Sequence, residues 1–371
     1  MKEYLKLATD LGNEYWIKTK RYLKPMLRKC QQQPLQPLGW SCVVVGIILL
    51  MVSVRFLTAT DSQAFQARSY YDAQPESLSV FESPPDDRVI SSGSDGSKNY
   101  QELLADLDNN LKAEAVHIYD LSHQLTVFSR NEYRRLPLAS ITKLLTGAVA
   151  SEILPEYKTV TITDKHLKTY GNSGLRVDDV WRNVDLRDIS SVASVNDAAF
   201  AIAIAAGAYD NEDIENDDYQ EAKDHFVGLM NKKAEQIGMD HSFFFNPTGL
   251  DSNKVDDGAR GSAYDVTQLL KYLWEEHPEQ VESTTEREIE KRSVLGTVHK
   301  VKNTNPLVEE IPGIKMSKTG YTLTAGGNLA IVFEPIPDQP VAVTVLGSTF
   351  EHRYTDVAYV VERLTEYYSK L

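Results

Sequence analysis

Ser140 and Lys143 lie three residues apart in LASITKLLTGAVA, residues 138–150, whose apolar residues recur at helical spacing. That separation is close to one helical turn, so both side chains fall on one face. A serine hydroxyl is a poor nucleophile at neutral pH and needs a base within hydrogen-bond reach. A lysine amine can be that base where burial or a nearby cation lowers its pKa. The start of a helix also offers free backbone N–H groups to a developing oxyanion. Taken alone the pattern is weak: Ser-x-x-Lys arises about once by chance in a chain this long. A serine near a helix start beside a solvated lysine is the ordinary outcome.

Two further clusters follow it. Ser194-Val195-Asn196 stands before DAAFAIAIAA, an apolar run that reads as a buried helix, where a polar triplet needs partners. Ser-x-Asn also occurs at Ser97–Asn99 and Ser129–Asn131, but both precede Ser140. Lys318-Thr319-Gly320 stands in IKMSKTGYTLTAGGNLAIV, just before an expected strand. Gly320 would let a substrate backbone approach a strand edge closely. Lys318 and Thr319 would supply a cation and a hydroxyl donor for a carboxylate. Read singly, these clusters are a capped helix start and a turn.

The elements that must hold these groups can be read around them. AVHIYDLSHQLTVFSRN (115–131) reads as two short strands about a polar turn. Helical periodicity follows from about 140, again near 187–207, and again over 220–237. GNLAIVFE and VAVTVLGS (327–334 and 341–348) are β-rich runs joined as a hairpin by PIPDQP, and TDVAYVVERLTEYYSKL is a final helix. Strands at both ends with helices between them predict an α/β sandwich whose terminal strands share one sheet. No internal repeat is visible.

The 371 residues suffice for one large domain or two medium ones, and a net charge of −14 disfavours a nucleic-acid partner. The charge is uneven: residues 1–40 carry +5, leaving −19 for the rest. Between the parts lies WSCVVVGIILLMVSVRFLTA (40–59), with an uncharged run from Gly39 to Val54. It is slightly short for a membrane span, and Arg55 near its end could snorkel. A buried core helix and a cleaved signal peptide are the rivals. The long basic leader and the lack of a clear A-x-A site favour a retained anchor. The positive-inside rule then puts residues 1–39 in the cytoplasm and the remainder on the outer face of the cell membrane. Cys30 and Cys42 lie before or within the anchor, so the exported part has neither disulfides nor a cysteine nucleophile. Residues 60–99 read as a flexible linker, and residues 100–371 as the globular part.

Ser-x-x-Lys, Ser-x-Asn and Lys-Thr-Gly, in this order, resemble the signature of penicillin-recognising serine enzymes. The blocks LPLASITKLLT, GNSGLRVDDVW, FVGLMNKKAEQIGM, FFFNPTGLD, SAYDVTQLL and GIKMSKTGYTLTAGGNLAIV narrow this to one branch. Over about residues 100–368 the chain resembles the serine-type D-alanyl-D-alanine carboxypeptidases, the low-molecular-mass penicillin-binding proteins of peptidase family S11. The resemblance implies a β-lactamase/transpeptidase-like domain. Its antiparallel sheet would be formed by N- and C-terminal strands and flanked by helices, with an all-α insertion carrying the second motif. It implies that Ser140 attacks a terminal D-Ala–D-Ala bond of a peptidoglycan stem peptide, with Lys143 as general base. Ser194 would lie on the proton path to the leaving amine, and Asn196 would hold the substrate backbone. Lys318 and Thr319 would bind the terminal carboxylate, Lys318 also keeping Lys143 neutral. The backbone N–H groups of Ser140 and Tyr321 would form the oxyanion hole. β-Lactams would acylate Ser140, and neither cofactor nor metal is implied.

The sequence departs from the family's pattern in places. Val195 stands where glycine or a small polar residue is commoner. GIKMSKTG offers Lys315 as a rival to Lys318, which is preferred because Thr319 and Gly320 follow it directly. The chain ends one helix after its last strand, without room for the small β domain or C-terminal anchor of many relatives. Other readings share the residues: a DD-endopeptidase with the same site, a serine β-lactamase, or a non-catalytic penicillin-binding sensor of cell-wall fragments. The lactamase reading is weakened because no E-x-x-L-N block lies between Asn196 and Lys318. The acidic run 209–222 lacks EF-hand spacing and reads as a solvated insertion. The eight histidines show no zinc-peptidase spacing. Asp251 and Asp265 are explained equally well as turn or cap residues.

Overall fold

The computed structural model describes residues 94–168, 171, 173–211, 218–251 and 258–370. The expected cytoplasmic segment, anchor, both cysteines and most of the linker lie outside the described residues, as do 212–217 of the acidic run. No helix among the described residues is long and apolar enough to cross a membrane.

The main elements, in chain order, are helix α1 (Ser94–Asn110), strands β1 (Ala115–Asp120) and β2 (Leu125–Arg130), and helices α2 (Thr142–Ile153), α3 (Asn183–Val192), α4 (Asn196–Asp210), α5 (Tyr219–Gln236) and α6 (Ala263–Glu276). They are followed by the hairpin β3 (Glu288–Arg292) and β4 (Val298–Lys302), by β5 (Ile314–Thr322), β6 (Gly326–Phe333) and β7 (Val341–Ser348), and by α7 (His352–Tyr368). The central sheet has five strands in the order β5-β6-β7-β1-β2. Its strands pair antiparallel, and the first and last of these strands, β1 and β7, meet where Ala115 faces Leu346 and Asp120 faces Val341.

Period-two alternation divides the strand residues between two cores. Val116, Ile118, Leu329, Ile331, Val343 and Val345 face α1 and α7, packing with Leu103, Leu107, Val357, Val360 and Leu364. Ala115, Ala330, Val332, Ala342 and Leu346 face the other way, into a larger core with α2, α3, α4, α5 and α6. The expected α/β sandwich with helices inserted between the terminal strands is thus the observed architecture.

Two elements differ from the sequence reading. Helix α1 begins at Ser94, within the stretch read as linker. The single helical stretch near 187–207 is two helices, α3 and α4. The chain breaks between them because Ser194 adopts the left-handed conformation, φ 58°. No glycine or proline marks that break, so periodicity runs straight across it.

Candidate active site

Leu138 to Ile141 lead into α2 through a 3-10 turn, Ala139–Ile141, that carries Ser140. Ala139, immediately before the serine, has φ 48°, a conformation that costs a non-glycine residue about 1 kcal/mol or more. Lys143, the second residue of α2, is buried, and its Nζ lies 2.8 Å from Ser140 Oγ. The same amine donates to the Thr248 carbonyl at 2.6 Å. Burial, and then the charge of Lys318, holds the Lys143 pKa well below the ordinary lysine range. A neutral amine has two protons and one lone pair. With one proton on Thr248, the lone pair is free to take the Ser140 proton.

The Thr248 carbonyl belongs to a turn in which Asn246 Oδ1 accepts from the backbone N–H of Thr248 at 3.0 Å and of Gly249 at 2.9 Å. Gly249 has φ 71°, and a Cβ there would sit 1.8 Å from the Ala139 carbonyl oxygen. Gly249→Ala is therefore expected to destabilise the protein by about 2–4 kcal/mol, combining left-handed strain with overpacking. Denaturant unfolding checks this, and an unchanged midpoint would contradict it.

The second motif follows α3, which is held in place by Lys291 of β3 donating to Asp188 at 2.5 Å. Its left-handed backbone turns Ser194 toward the third motif, where Lys318 Nζ donates to Ser194 Oγ at 3.0 Å. Asn196 opens α4, and its amide lies 3.9 Å from where a Cβ on Gly171 would be. Val195 is partly buried against the larger core. The other two Ser-x-Asn triplets lie in α1 and at the end of β2, the sheet edge opposite β5.

The third motif lies on the edge strand β5 itself rather than just before a strand. Lys318 is buried and also donates to the Thr319 carbonyl at 2.8 Å. Burial, with the Arg353 charge second, lowers its pKa to about 7. A Cβ on Gly320 would come within 2.8 Å of the Leu138 carbonyl oxygen, so the glycine is what lets β5 run close beside the serine turn. Ser317 N–H points outward, donating to Thr284 Oγ1 at 3.0 Å. By the two-residue strand period, the N–H groups of Thr319 and Tyr321 point to the same edge. The Tyr321 side chain is exposed. Lys315 is solvent-accessible and paired with Glu334 at 3.1 Å, outside this arrangement.

Asp265 does structural work. Its backbone N–H is capped by Ser262 Oγ at 3.0 Å, and its buried carboxylate accepts from Ser242 Oγ at 2.6 Å. Among the described residues no group of three histidine, cysteine or acidic side chains could hold a metal ion.

Sequence reasoning missed three contributors. The Thr248 carbonyl acts through backbone, which no side-chain motif reports. Arg353 of α7 donates to the Gly320 carbonyl at 2.7 Å, and Thr304 Oγ1 lies 2.6 Å from Thr319 Oγ1. Both stand far from the motifs in sequence.

A serine against a buried lysine of lowered pKa, a second serine on a second buried lysine, and a strand edge with outward N–H groups make up an arrangement that could carry out serine–lysine acyl transfer. The comparisons give that class a family. The family model for D-alanyl-D-alanine carboxypeptidases, peptidase S11, matches residues 103–349, and the chain belongs to this family. The D-alanyl-D-alanine carboxypeptidase DacF of Bacillus subtilis is 28% identical over 244 residues, covering 64% of this chain and 58% of that protein. A D-alanyl-D-alanine endopeptidase of Pseudomonas aeruginosa is also 28% identical, over 248 residues, covering 65% of this chain and 73% of that one. The solved structure of a D-alanyl-D-alanine carboxypeptidase from Mycobacterium tuberculosis superposes with a TM-score of 0.60 at 21% identity, covering 71% of this chain and 92% of the other. That likeness shows the shared fold.

Proposed function

We propose that the protein is a membrane-anchored serine D-Ala-D-Ala carboxypeptidase that trims the terminal D-Ala from peptidoglycan stem peptides and is acylated by β-lactams. The observation that carries this reading is the Ser140 Oγ–Lys143 Nζ contact of 2.8 Å, made by a lysine whose pKa burial holds well below the ordinary range. Ser140 Oγ attacks the carbonyl carbon of the penultimate D-Ala while its proton passes to Lys143. The developing oxyanion is met by the backbone N–H groups of Ser140 and Tyr321. Breaking the amide releases D-Ala, whose nitrogen takes the proton that Lys143 received, along a path that includes Ser194, and Lys143 is neutral again. Water then gives a proton to Lys143 and cleaves the ester, and that proton returns to Ser140 Oγ. Asn196 holds the substrate amide, and Lys318 with Thr319 takes the terminal carboxylate. The basic leader and the apolar stretch 40–59 support the anchor, with the catalytic domain on the outer face.

Endopeptidase action on cross-linked stems by the same site is the second reading. It is supported by the Pseudomonas endopeptidase, which is as similar to this chain as DacF, 28% identical in each case. Incubating the protein with a pentapeptide ending in D-Ala–D-Ala and with a cross-linked dimer separates the two. Free D-Ala from the pentapeptide alone supports the carboxypeptidase. Cleavage of the dimer alone supports the endopeptidase, and no cleavage of either refutes both.

The same assay has a pH signature. Lys318 attracts a carboxylate in its protonated form, which is lost as pH rises through about 7. KM for the pentapeptide is expected to be level below that pH and to climb above it, approaching about tenfold per pH unit. A flat KM from pH 6 to 9 would remove Lys318 from carboxylate binding. Stability runs the other way. The unfolded lysine binds a proton that the folded one gives up, so this group favours folding increasingly from about pH 7 to its unfolded value near 10.5.

A further inference from the structure

Thr304 lies two residues after β4, between the second and third motifs. Its backbone N–H donates at 3.1 Å to the carbonyl of Val192, the last residue of α3, two residues before Ser194. Its own carbonyl accepts from Tyr354 Oη at 3.0 Å. Tyr354 Oη in turn accepts from Arg353 at 2.6 Å, and that guanidinium lies 4.5 Å from the centre of the Phe350 ring. With Arg353 also on the Gly320 carbonyl, α7 fixes Thr304 and β5 from behind.

So held, the Thr304 hydroxyl faces Thr319. Its single proton has two acceptors in reach, Thr319 Oγ1 at 2.6 Å and the Val192 carbonyl at 3.4 Å. The contact with Thr319 is much the shorter. We propose that Thr304 is a positioning residue: its hydroxyl donates to Thr319 Oγ1 and thereby fixes the Thr319 hydroxyl with its proton directed toward the substrate's terminal carboxylate, an orientation lost when the donor is removed. The reverse polarity would spend the Thr319 proton on Thr304 and turn an oxygen lone pair toward an anion. This rests on the proposed reading of the site, in which Thr319 binds that carboxylate.

The test compares a pentapeptide ending in D-Ala–D-Ala with the same peptide as its C-terminal carboxamide. Thr304→Val removes the donor at nearly constant volume. Thr304→Ala is the second variant, since it keeps the backbone bond to Val192 without placing a new methyl against Thr319. Thr304→Ser retains the hydroxyl. For the carboxylate peptide, KM in the Val and Ala variants is expected to rise about tenfold with kcat little changed. KM for the carboxamide should not move, and the Ser variant should behave as wild type on both. Equal losses on the two peptides would mean a merely structural role and overturn the proposal, as would no loss on the carboxylate. Failure of the unmodified protein to cleave the carboxylate peptide refutes the carboxypeptidase reading instead, and the Thr304 proposal falls with it.

Discussion

Ser140→Ala protein is expected to take up no label from a fluorescent penicillin and to lose D-Ala release by about 10⁴–10⁶-fold. The size follows from the chemistry: without Oγ there is no acyl-enzyme, and only binding and the oxyanion N–H groups remain to help water. The substitution removes one oxygen from a partly exposed side chain in a 3-10 turn, so the fold should survive. An unchanged melting temperature separates lost chemistry from lost structure. Undiminished labelling of the Ala protein would move the nucleophile elsewhere.

Lys143→Met is the second large effect, and its two readouts have different expected signs. Acylation by penicillin should slow by about 10²–10⁴-fold, the ordinary contribution of a positioned general base. Stability should hold or rise, because a fully buried amine gives way to an apolar chain of similar length. The unpaired Thr248 carbonyl offsets part of that gain. Denaturant unfolding and stopped-flow acylation on the same preparation measure both. A Met variant that acylates at the wild-type rate would remove Lys143 as the base. One that is slow only because it is unfolded would show it in the denaturation curve.

Much of this arrangement is legible in the sequence because strands and motifs are local signals. The β-rich runs GNLAIVFE and VAVTVLGS mark β6 and β7, and AVHIYDLSHQLTVFSRN marks β1 and β2. The pairing of β1 with β7 follows once strands are placed at both ends of the domain. The remainder depends on tertiary contacts. Helix α1 escaped notice because its first half is polar and continues the composition of the linker before it. Its apolar Leu103 and Leu107 acquire meaning only against α7 and the sheet. The break at Ser194 is a backbone conformation without a glycine to announce it. Thr248 contributes a carbonyl, which every residue has. Thr304 and Arg353 touch the third motif from 15 and 33 residues away, so only folding makes them part of the site.

The central claim is that Ser140 is the residue acylated, and mapping the adduct tests it most directly. After treatment with benzylpenicillin, the intact protein should gain the mass of one penicilloyl group. Tryptic digestion and fragmentation should place that group on Ser140 within LPLASITK, residues 136–143. A penicilloyl group on any other residue, or no mass gain from a folded preparation, would contradict the account.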